Sequence, residues 1–479
     1  MRKYLIIFLY SLVLVACNGS GGSSGDAVGE FTVDPAESFA TFNTIKSTAS
    51  IGVRQRLFDY MLDRYLWNED VPSVDLTDPD YADLDVLLTD LRKIPEDRFS
   101  GFVNSSLQDQ RFEQGITGSY GLRYNVRETD PLDIRISTVE DFGSVALVGI
   151  QRGDRVIGAE GQSIDELGIN GFRDLFSEPG IGVQRTLEIR HPDGTEQFYT
   201  ITRTEHPLSP VRRANTFVNP ASGRRVGYVL VEEFISATAG MLQNFRANYS
   251  NIGLDDLIVD LRYNGGGLVS VSRDLASSIY GQGGRNDVYT ELRRNSLHSN
   301  ENRTFNFVNF NDAFMNLPRV FILTTGGTCS ASEEVINGLK PFMEVITIGN
   351  TTCGKPYASN PFDLIPGQIS AHILDSRSVN ANGEGDFFAG LSPACEAADD
   401  PTLPFTDPEE SLISVALFYA ESGRCPTELE IANGGWTTEF AQNGSENDIA
   451  LQPVLPVIGT DQPDPELSDA PALRAMRRY

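Results

Sequence analysis

The run Leu257-Ile258-Val259-Asp260-Leu261-Arg262-Tyr263-Asn264-Gly265-Gly266-Gly267 opens as an apolar strand and closes as a glycine turn. Residues 257–261 read as a buried strand. The three glycines stop it and, lacking Cβ, let backbone N–H groups approach a ligand oxygen closely. Residues 269–280 then read as a helix. The same alternation extends outward in both directions. Residues 227–231 read as a strand and 237–248 as a helix. Residues 320–324 form a further strand, a helix starts near Ala331, and 345–349 form another strand. Strands alternating with helices indicate an α/β layer structure.

Two residues in this framework carry nucleophilic chemistry. Ser330 stands in Thr328-Cys329-Ser330-Ala331-Ser332-Glu333, at the mouth of a helix, where unpaired backbone N–H groups favour negative charge. Lys355 lies 25 residues later, in Asn350-Thr351-Thr352-Cys353-Gly354-Lys355-Pro356, just past an apolar strand end. Burial there lowers an amine's pKa. A serine and a desolvated lysine supply a nucleophile and a base without histidine. Lysine is scarce in the chain: Lys3, Lys46, Lys93, Lys340 and Lys355 are all of it. The histidines are His191, His206, His298 and His372, and no spacing nominates one of them.

With Ser-Ala-Ser-Glu at 330–333, Thr-Cys-Gly-Lys at 352–355 and Asp-Leu-Arg-Tyr-Asn-Gly-Gly-Gly at 260–267, in that spacing, the chain resembles the C-terminal processing (tail-specific) serine peptidases. The resemblance covers residues 50–425 and implies a Clp protease/crotonase-like catalytic domain. It assigns Ser330 as nucleophile and Lys355 as general base, with the Gly266 or Gly267 amide and the Ala331 amide as oxyanion donors. Many members carry a Gln four residues after the lysine; this chain has Ser359 there, which becomes the candidate orienting residue. The G-K-P string and Tyr65-Leu66-Trp67 are nearer a lipoprotein-like branch. The implied reaction is hydrolysis of peptide bonds in protein or peptide substrates through an acyl-enzyme, with no cofactor. The rival reading is a non-catalytic binding protein for peptides or hydrophobic ligands on the same fold.

Around that catalytic part, at 206–425, the chain divides further. Residues 34–114 form an N-terminal helical segment, with apolar residues at helical intervals from Leu57 to Leu66 and again over 84–91. Residues 115–205 resemble a PDZ domain. Gly118, Ser119, Tyr120, Gly121 and Leu122 match the loop and strand start that hold a peptide's C-terminal carboxylate, and Gly153-Asp154 matches a later turn. Residues 426–479, rich in Pro, Asp and Gly, are expected to be a peripheral tail.

Met1-Arg2-Lys3 and an apolar core over 4–16 resemble a bacterial lipoprotein signal, ending Leu14-Val15-Ala16-Cys17. Cys17 is the expected lipidation site, residues 1–16 the signal peptide and 17–33 a Gly/Ser-rich flexible tether. Asn18 after the cysteine points to a lipid anchor in the outer membrane of a bacterial envelope. Four further cysteines allow three pairings in an exported chain. Cys395 and Cys425, both in loop contexts, are expected to pair, and a Cys329–Cys353 bond would clamp the two catalytic segments together. The absence of C-x-x-C or His-rich clusters argues against a metal. A net charge of −28 argues against nucleic acid as a partner.

Overall fold

The structure, a computed structural model, describes residues 35–127, 130–177, 180–281, 286–310, 315–433 and 441–442. The signal peptide, the tether, Cys17 and most of the 426–479 tail lie outside the described residues.

The helix Ile51–Arg64 begins where the Ser50 hydroxyl accepts the Val53 amide, which satisfies one of the otherwise orphaned first-turn donors. It buries Leu57 and Met61, and the helix Leu84–Leu91 buries its four leucines. Both pack on Leu364, Ile369, Ala371, Ile373 and Leu374. The N-terminal helices are therefore a wall of the catalytic region, fixed to it by a shared apolar core.

The 115–205 stretch is a small β module. Its strands Leu122–Arg127, Asp130–Val139, Arg155–Ala159, Gln184–Arg190 and Glu196–Thr202 are antiparallel neighbours, with Leu122–Arg127 at one end of the sheet. The helix Ile164–Ser177 closes a core of Ile134, Ile136, Val156, Phe172, Leu187 and Ile201. A short pair, Ile116–Ser119 with Thr204–Pro207, joins the two ends of the module.

The catalytic region is built on β1 (Val211–Val218), β2 (Arg225–Val231), α1 (Ser236–Tyr249), β3 (Asp256–Asp260), α2 (Val269–Tyr280), β4 (Val288–Arg294), β5 (Arg319–Thr324), α3 (Ala331–Leu339), β6 (Glu344–Gly349), β7 (Tyr357–Ile365), β8 (Ile369–Val379), β9 (Cys395–Glu396) and α4 (Ser411–Ser422). Strands β2, β3, β5, β6 and β9 run parallel in that spatial order, with β1 antiparallel at the side of β2. Val229, Leu257, Val259, Val320 and Ile322 face α1, α2 and α3. Tyr228, Leu230, Ile258, Phe321 and Leu323 face α4 on the other side. This two-sided burial is why these strands read as continuous apolar runs.

A second, antiparallel sheet was not anticipated from the sequence. It contains β4, β7 and β8 together with the short strands Gly101–Asn104 and Arg303–Asn306. Strand β7 starts two residues after Lys355, so this sheet carries the lysine segment, while the parallel sheet carries the serine.

Candidate active site

Ser330 is the N-cap of α3 and has φ +56° and ψ −118°. A non-glycine residue holds such a conformation only where its surroundings over-determine it. Those surroundings begin with Asn264. Its carbonyl accepts the Cys329 amide at 3.0 Å and the Ser332 hydroxyl at 2.9 Å. Its side chain donates to Val231 O at 3.0 Å, so the glycine turn, the end of β2 and the Ser330 segment share one residue.

The glycines of the turn differ from one another. Gly266 has φ +107°, and a Cβ there would lie 2.9 Å from both Cys329 O and Ser330 Cβ. Gly267 has φ +134°, and a Cβ there would lie 2.1 Å from Phe234 O. Only glycine fits either place. The Gly266 amide, one of the two alternatives for the oxyanion donor, already donates to Asn264 Oδ1 at 2.9 Å. That corrects the expectation for Gly266, whose part is close packing beneath Ser330. The Gly267 and Ala331 amides have no acceptor among the described residues. Ala331 heads α3, where a free first-turn amide is expected.

Glu333 joins the serine to the lysine. Its side chain, fully buried, accepts the Ser330 amide at 2.9 Å and the Gly354 and Lys355 amides at 2.8 Å each, and also the Thr352 hydroxyl. The Cys353 amide adds a bond to Thr328 O at 3.0 Å. The Cys329–Cys353 disulfide closes the same junction, and Cys395–Cys425 pairs as expected. Cys329, Glu333 and Cys353 converge within 4.8 Å, as metal ligands do. With the two sulfurs joined to each other, neither is a thiolate available to a metal.

Lys355 is half-buried, and its amine has no hydrogen-bond acceptor or ion-pair partner among the described residues. Its Nζ lies 5.5 Å from the centre of the Phe99 ring. Burial holds its pKa below the ordinary lysine value, opposed by the charges of Asp97, Glu334 and Glu333. The N-terminal segment thus enters the site. Arg98 donates to Cys353 O at 2.7 Å and to Phe388 O at 3.3 Å, bracing the lysine segment. Asp97 is fully buried and accepts the Tyr65 hydroxyl at 2.8 Å and the Ser100 amide at 2.8 Å.

Ser359 lies on β7 and meets a histidine: its Oγ is 3.3 Å from His372 Nδ1, and His372 Nε2 is 3.0 Å from Gln108 Oε1. No bond joins Ser359 to Lys355, so the orienting role expected of it is not what this geometry provides. The His372 pKa is held below its usual range, by burial first and then by the charge of Lys355.

The 118–122 loop belongs to the β module. Ser119 Oγ accepts the Gly121 amide at 3.0 Å and donates to Glu140 at 3.1 Å. Tyr120 is buried against Phe176, with ring centres 5.2 Å apart, and Leu122 opens the end strand opposite Val139. One residue further, Arg123 donates to Tyr263 O at 3.3 Å, which links the module to the segment ahead of the glycine turn.

In the sequence Glu333 stands in the Ser-Ala-Ser-Glu string without a role of its own, and nothing singles out Asp97 or Arg98. A Glu three residues after an N-cap serine is a capping-box signal, and it accounts for the Ser330 amide. The bonds to residues 354 and 355 exist only after the chain folds back, so no local pattern announces them.

The chain is similar to known proteins. The profile of peptidase family S41 matches residues 225–394, and that of the peptidase S41 N-terminal domain matches residues 52–101. The carboxyl-terminal-processing protease of Synechocystis is 28% identical over 53% of this chain, and the match spans 56% of that relative's length. The chloroplastic C-terminal processing peptidase of Tetradesmus obliquus is 24% identical over 67% of this chain and 68% of its own. The crystal structure of a Bacteroides fragilis protein assigned to the S41 proteases superposes with a TM-score of 0.62 at 26% identity, over 77% of this chain and 97% of the other. Ser330, Lys355 and the 257–267 run all fall inside the first matched stretch, and Asp97 and Arg98 inside the second. Residues 225–394 therefore match peptidase family S41 and residues 52–101 its N-terminal domain, and the chain is similar to carboxyl-terminal-processing proteases.

Proposed function

We propose that this chain is a serine endopeptidase of exported proteins, with Ser330 as nucleophile and neutral Lys355 as general base. The observation that carries the reading is the Glu333 carboxylate, which accepts backbone amides from both residues and so makes their segments one rigid piece. An ordinary lysine is neutral in only about one molecule in a few thousand at pH 7. The burial that lowers the Lys355 pKa enlarges that fraction.

In this mechanism the Lys355 amine takes the Ser330 proton as Oγ bonds to the substrate carbonyl carbon. The Gly267 and Ala331 amides receive the oxyanion. The C–N bond then breaks, and the leaving amine takes the proton from the Lys355 ammonium. Water next adds to the ester, giving a proton to Lys355; the bond from the acyl carbon to Ser330 Oγ then breaks, Oγ takes that proton from the Lys355 ammonium, and the acid leaves. The PDZ-like module recruits substrate C-termini through Gly118–Leu122 and the end strand that follows, and Cys17 anchors the enzyme to the bacterial envelope through lipid.

A fluorophosphonate probe tests the central part. It should label Ser330 in the native enzyme and leave Ser330→Ala unlabelled; a native protein that stays unlabelled would instead fit a non-catalytic binding protein. Peptides with free and amidated C-termini test the recruitment, and equal affinity for the two would remove it.

A further inference from the structure

His206 is buried, at 4% exposure, beside the 118–122 loop of the β module. Its strand Thr204–Pro207 pairs with Ile116–Ser119, and Ser119 Oγ comes within 3.5 Å of His206 Nε2. Both ring nitrogens face an oxygen that has no proton to give. Nδ1 lies 3.1 Å from the Thr204 carbonyl oxygen, and Nε2 lies 2.6 Å from Glu140 Oε2. The Thr204 hydroxyl is farther from Nδ1, at 3.5 Å. A neutral imidazole carries one N–H and would leave two acceptors facing each other at one of these contacts. Only an imidazolium, donating from both nitrogens, satisfies the two together.

Glu140 in turn holds Gly121 from both sides. Its amide donates to Gly121 O at 2.8 Å. Its carboxylate accepts the Ser119 hydroxyl at 3.1 Å, and that same oxygen accepts the Gly121 amide at 3.0 Å. Gly121 has φ +83°, and a Cβ there would lie 2.4 Å from Gly143 Cα, so the turn is tight and admits only glycine. We propose that His206 is a positioning residue of this loop, its imidazolium holding the Glu140 carboxylate against Ser119, so that capture of a peptide's C-terminal carboxylate requires the His206 proton. This inference rests on the recruitment reading of Gly118–Leu122 and deepens it.

Burial by itself would raise the Glu140 pKa. The His206 bond and charge, with the charges of Arg123 and Arg111, outweigh it and hold the carboxyl below its usual range, so Glu140 stays ionised. Arg123 is on the end strand Leu122–Arg127, and Arg111 is on the helix Ser105–Phe112. Thr117 lies opposite His206 in the strand pair and accepts Arg111 at 3.2 Å. The neighbouring Glu205 is taken by Gln110 at 2.9 Å, and Glu233 of the catalytic region holds Arg111 at 2.6 and 2.9 Å. Asp141, next to Glu140, accepts Arg212 at 3.3 Å. When the ring gives up a proton, either Thr204 O or Glu140 is left without a donor, and a positive charge leaves the side of a loop that receives an anion. Both changes weaken binding. Affinity for C-termini therefore falls as pH rises through the range in which histidine titrates, about pH 5 to 8.

The test is NMR of the full chain beside peptide binding. The chain has four histidines, so 15N-histidine labelling gives few ring signals. Tyr-Gly occurs at 120–121 and 280–281, so 13C-tyrosine with 15N-glycine isolates two amide signals, and Ser119→Ala identifies that of Gly121. The His206 ring should carry both protons at about pH 5 and lose one by about pH 8, and the Gly121 amide should shift with the same midpoint. A fluorescein-labelled peptide ending in three alanines, whose carboxylate stays ionised throughout, should bind about tenfold more weakly at the upper end, the scale of one hydrogen bond to a charged group. His206→Gln can still donate to Glu140 but does not titrate, so its affinity should not change with pH. A ring that is neutral throughout, a Gly121 signal indifferent to it, or a native affinity independent of pH would overturn the proposal, and none of these needs a variant to fold. The native pH dependence persisting in His206→Gln would overturn it as well. Failure of the recruitment reading would look different: the ring and Gly121 would titrate together while the acid and amide forms of the peptide bind alike, leaving His206 a structural clamp.

Discussion

Arg262 and Lys355 are two cations in one catalytic region, and the fold treats them in opposite ways. Arg262 is wholly buried, and its guanidinium meets Asp260, Asp399 and Glu410 at 2.7–3.0 Å. Arg152 of the β module reaches the same Asp399 at 3.1 Å, and Tyr263 bonds to it as well. Lys355 has no such partner, only a ring beside it and a bed of hydrogen bonds beneath its backbone. The two lie at opposite ends of the same logic. A saturated cation locks the strand that leads into the glycine turn, and an unsaturated one is left poised to lose a proton. Stability and reactivity are thus divided between a segment of the parallel sheet and the segment that enters the antiparallel sheet.

The comparison is broken most severely by Lys355→Arg. A guanidinium keeps its charge across the working pH range, so kcat/KM should fall by about a thousandfold or more, the scale of losing a member of a catalytic unit. In the native enzyme kcat/KM should rise with pH as Lys355 loses its proton, over a range below that of an ordinary lysine. A Lys355→Arg enzyme with ordinary turnover would remove the base from this account.

The opposite variant attacks the saturated cation. Arg262→Met takes the cation from the fully buried Asp260 and Glu410, while Asp399 keeps Arg152, and should destabilise the protein by about 3–5 kcal/mol in chemical denaturation. Lys355→Arg should denature close to the native midpoint. Equal stability of Arg262→Met and native protein would mean that the network holds nothing together.

The two disulfides sharpen the contrast because they are alike as cross-links. They span 24 and 30 residues, for which loop entropy alone predicts about 3 kcal/mol each. Cys329→Ser/Cys353→Ser should lower kcat about tenfold, since small displacements of reacting groups are costly. Cys395→Ser/Cys425→Ser should lower only the melting temperature. Identical kinetics for the two double variants would show that Glu333 alone keeps the serine and lysine segments in register. His372→Gln should have the smallest effect, less than about twofold in kcat/KM, because its ring is bonded to Ser359 and Gln108 and carries no step of this mechanism. A folded His372→Gln enzyme without activity would transfer the base role to histidine.

Much of this was legible before any coordinates, for definite reasons. Strands β2, β3, β5 and β6 are buried on both faces, so each is an apolar run, and the glycine turn declares itself because a Cβ would collide with Phe234 or Ser330. Ser330 and Lys355 were found because each sits at the boundary of such an element. The antiparallel sheet was not found: β8 reads Ile-Ser-Ala-His-Ile-Leu-Asp-Ser-Arg-Ser-Val, with buried serines and an aspartate that break the apolar signal. Ser359 was placed by its distance from Lys355 along the chain, but position on a strand decides its direction, and it turns to His372. Gly266 and Gly267 were indistinguishable in sequence; only the Asn264 side chain, which occupies one amide, separates them.

The central claim is that Ser330 and Lys355 form one chemical unit held together by Glu333, and a double-mutant cycle tests it most directly. Turnover of a peptide substrate is measured for Ser330→Ala, Lys355→Ala and the double variant, all checked for native folding. The account predicts that each single change removes nearly all activity and that the double change costs little more than either. A double variant whose loss equals the product of the two single losses would show independent residues and contradict it.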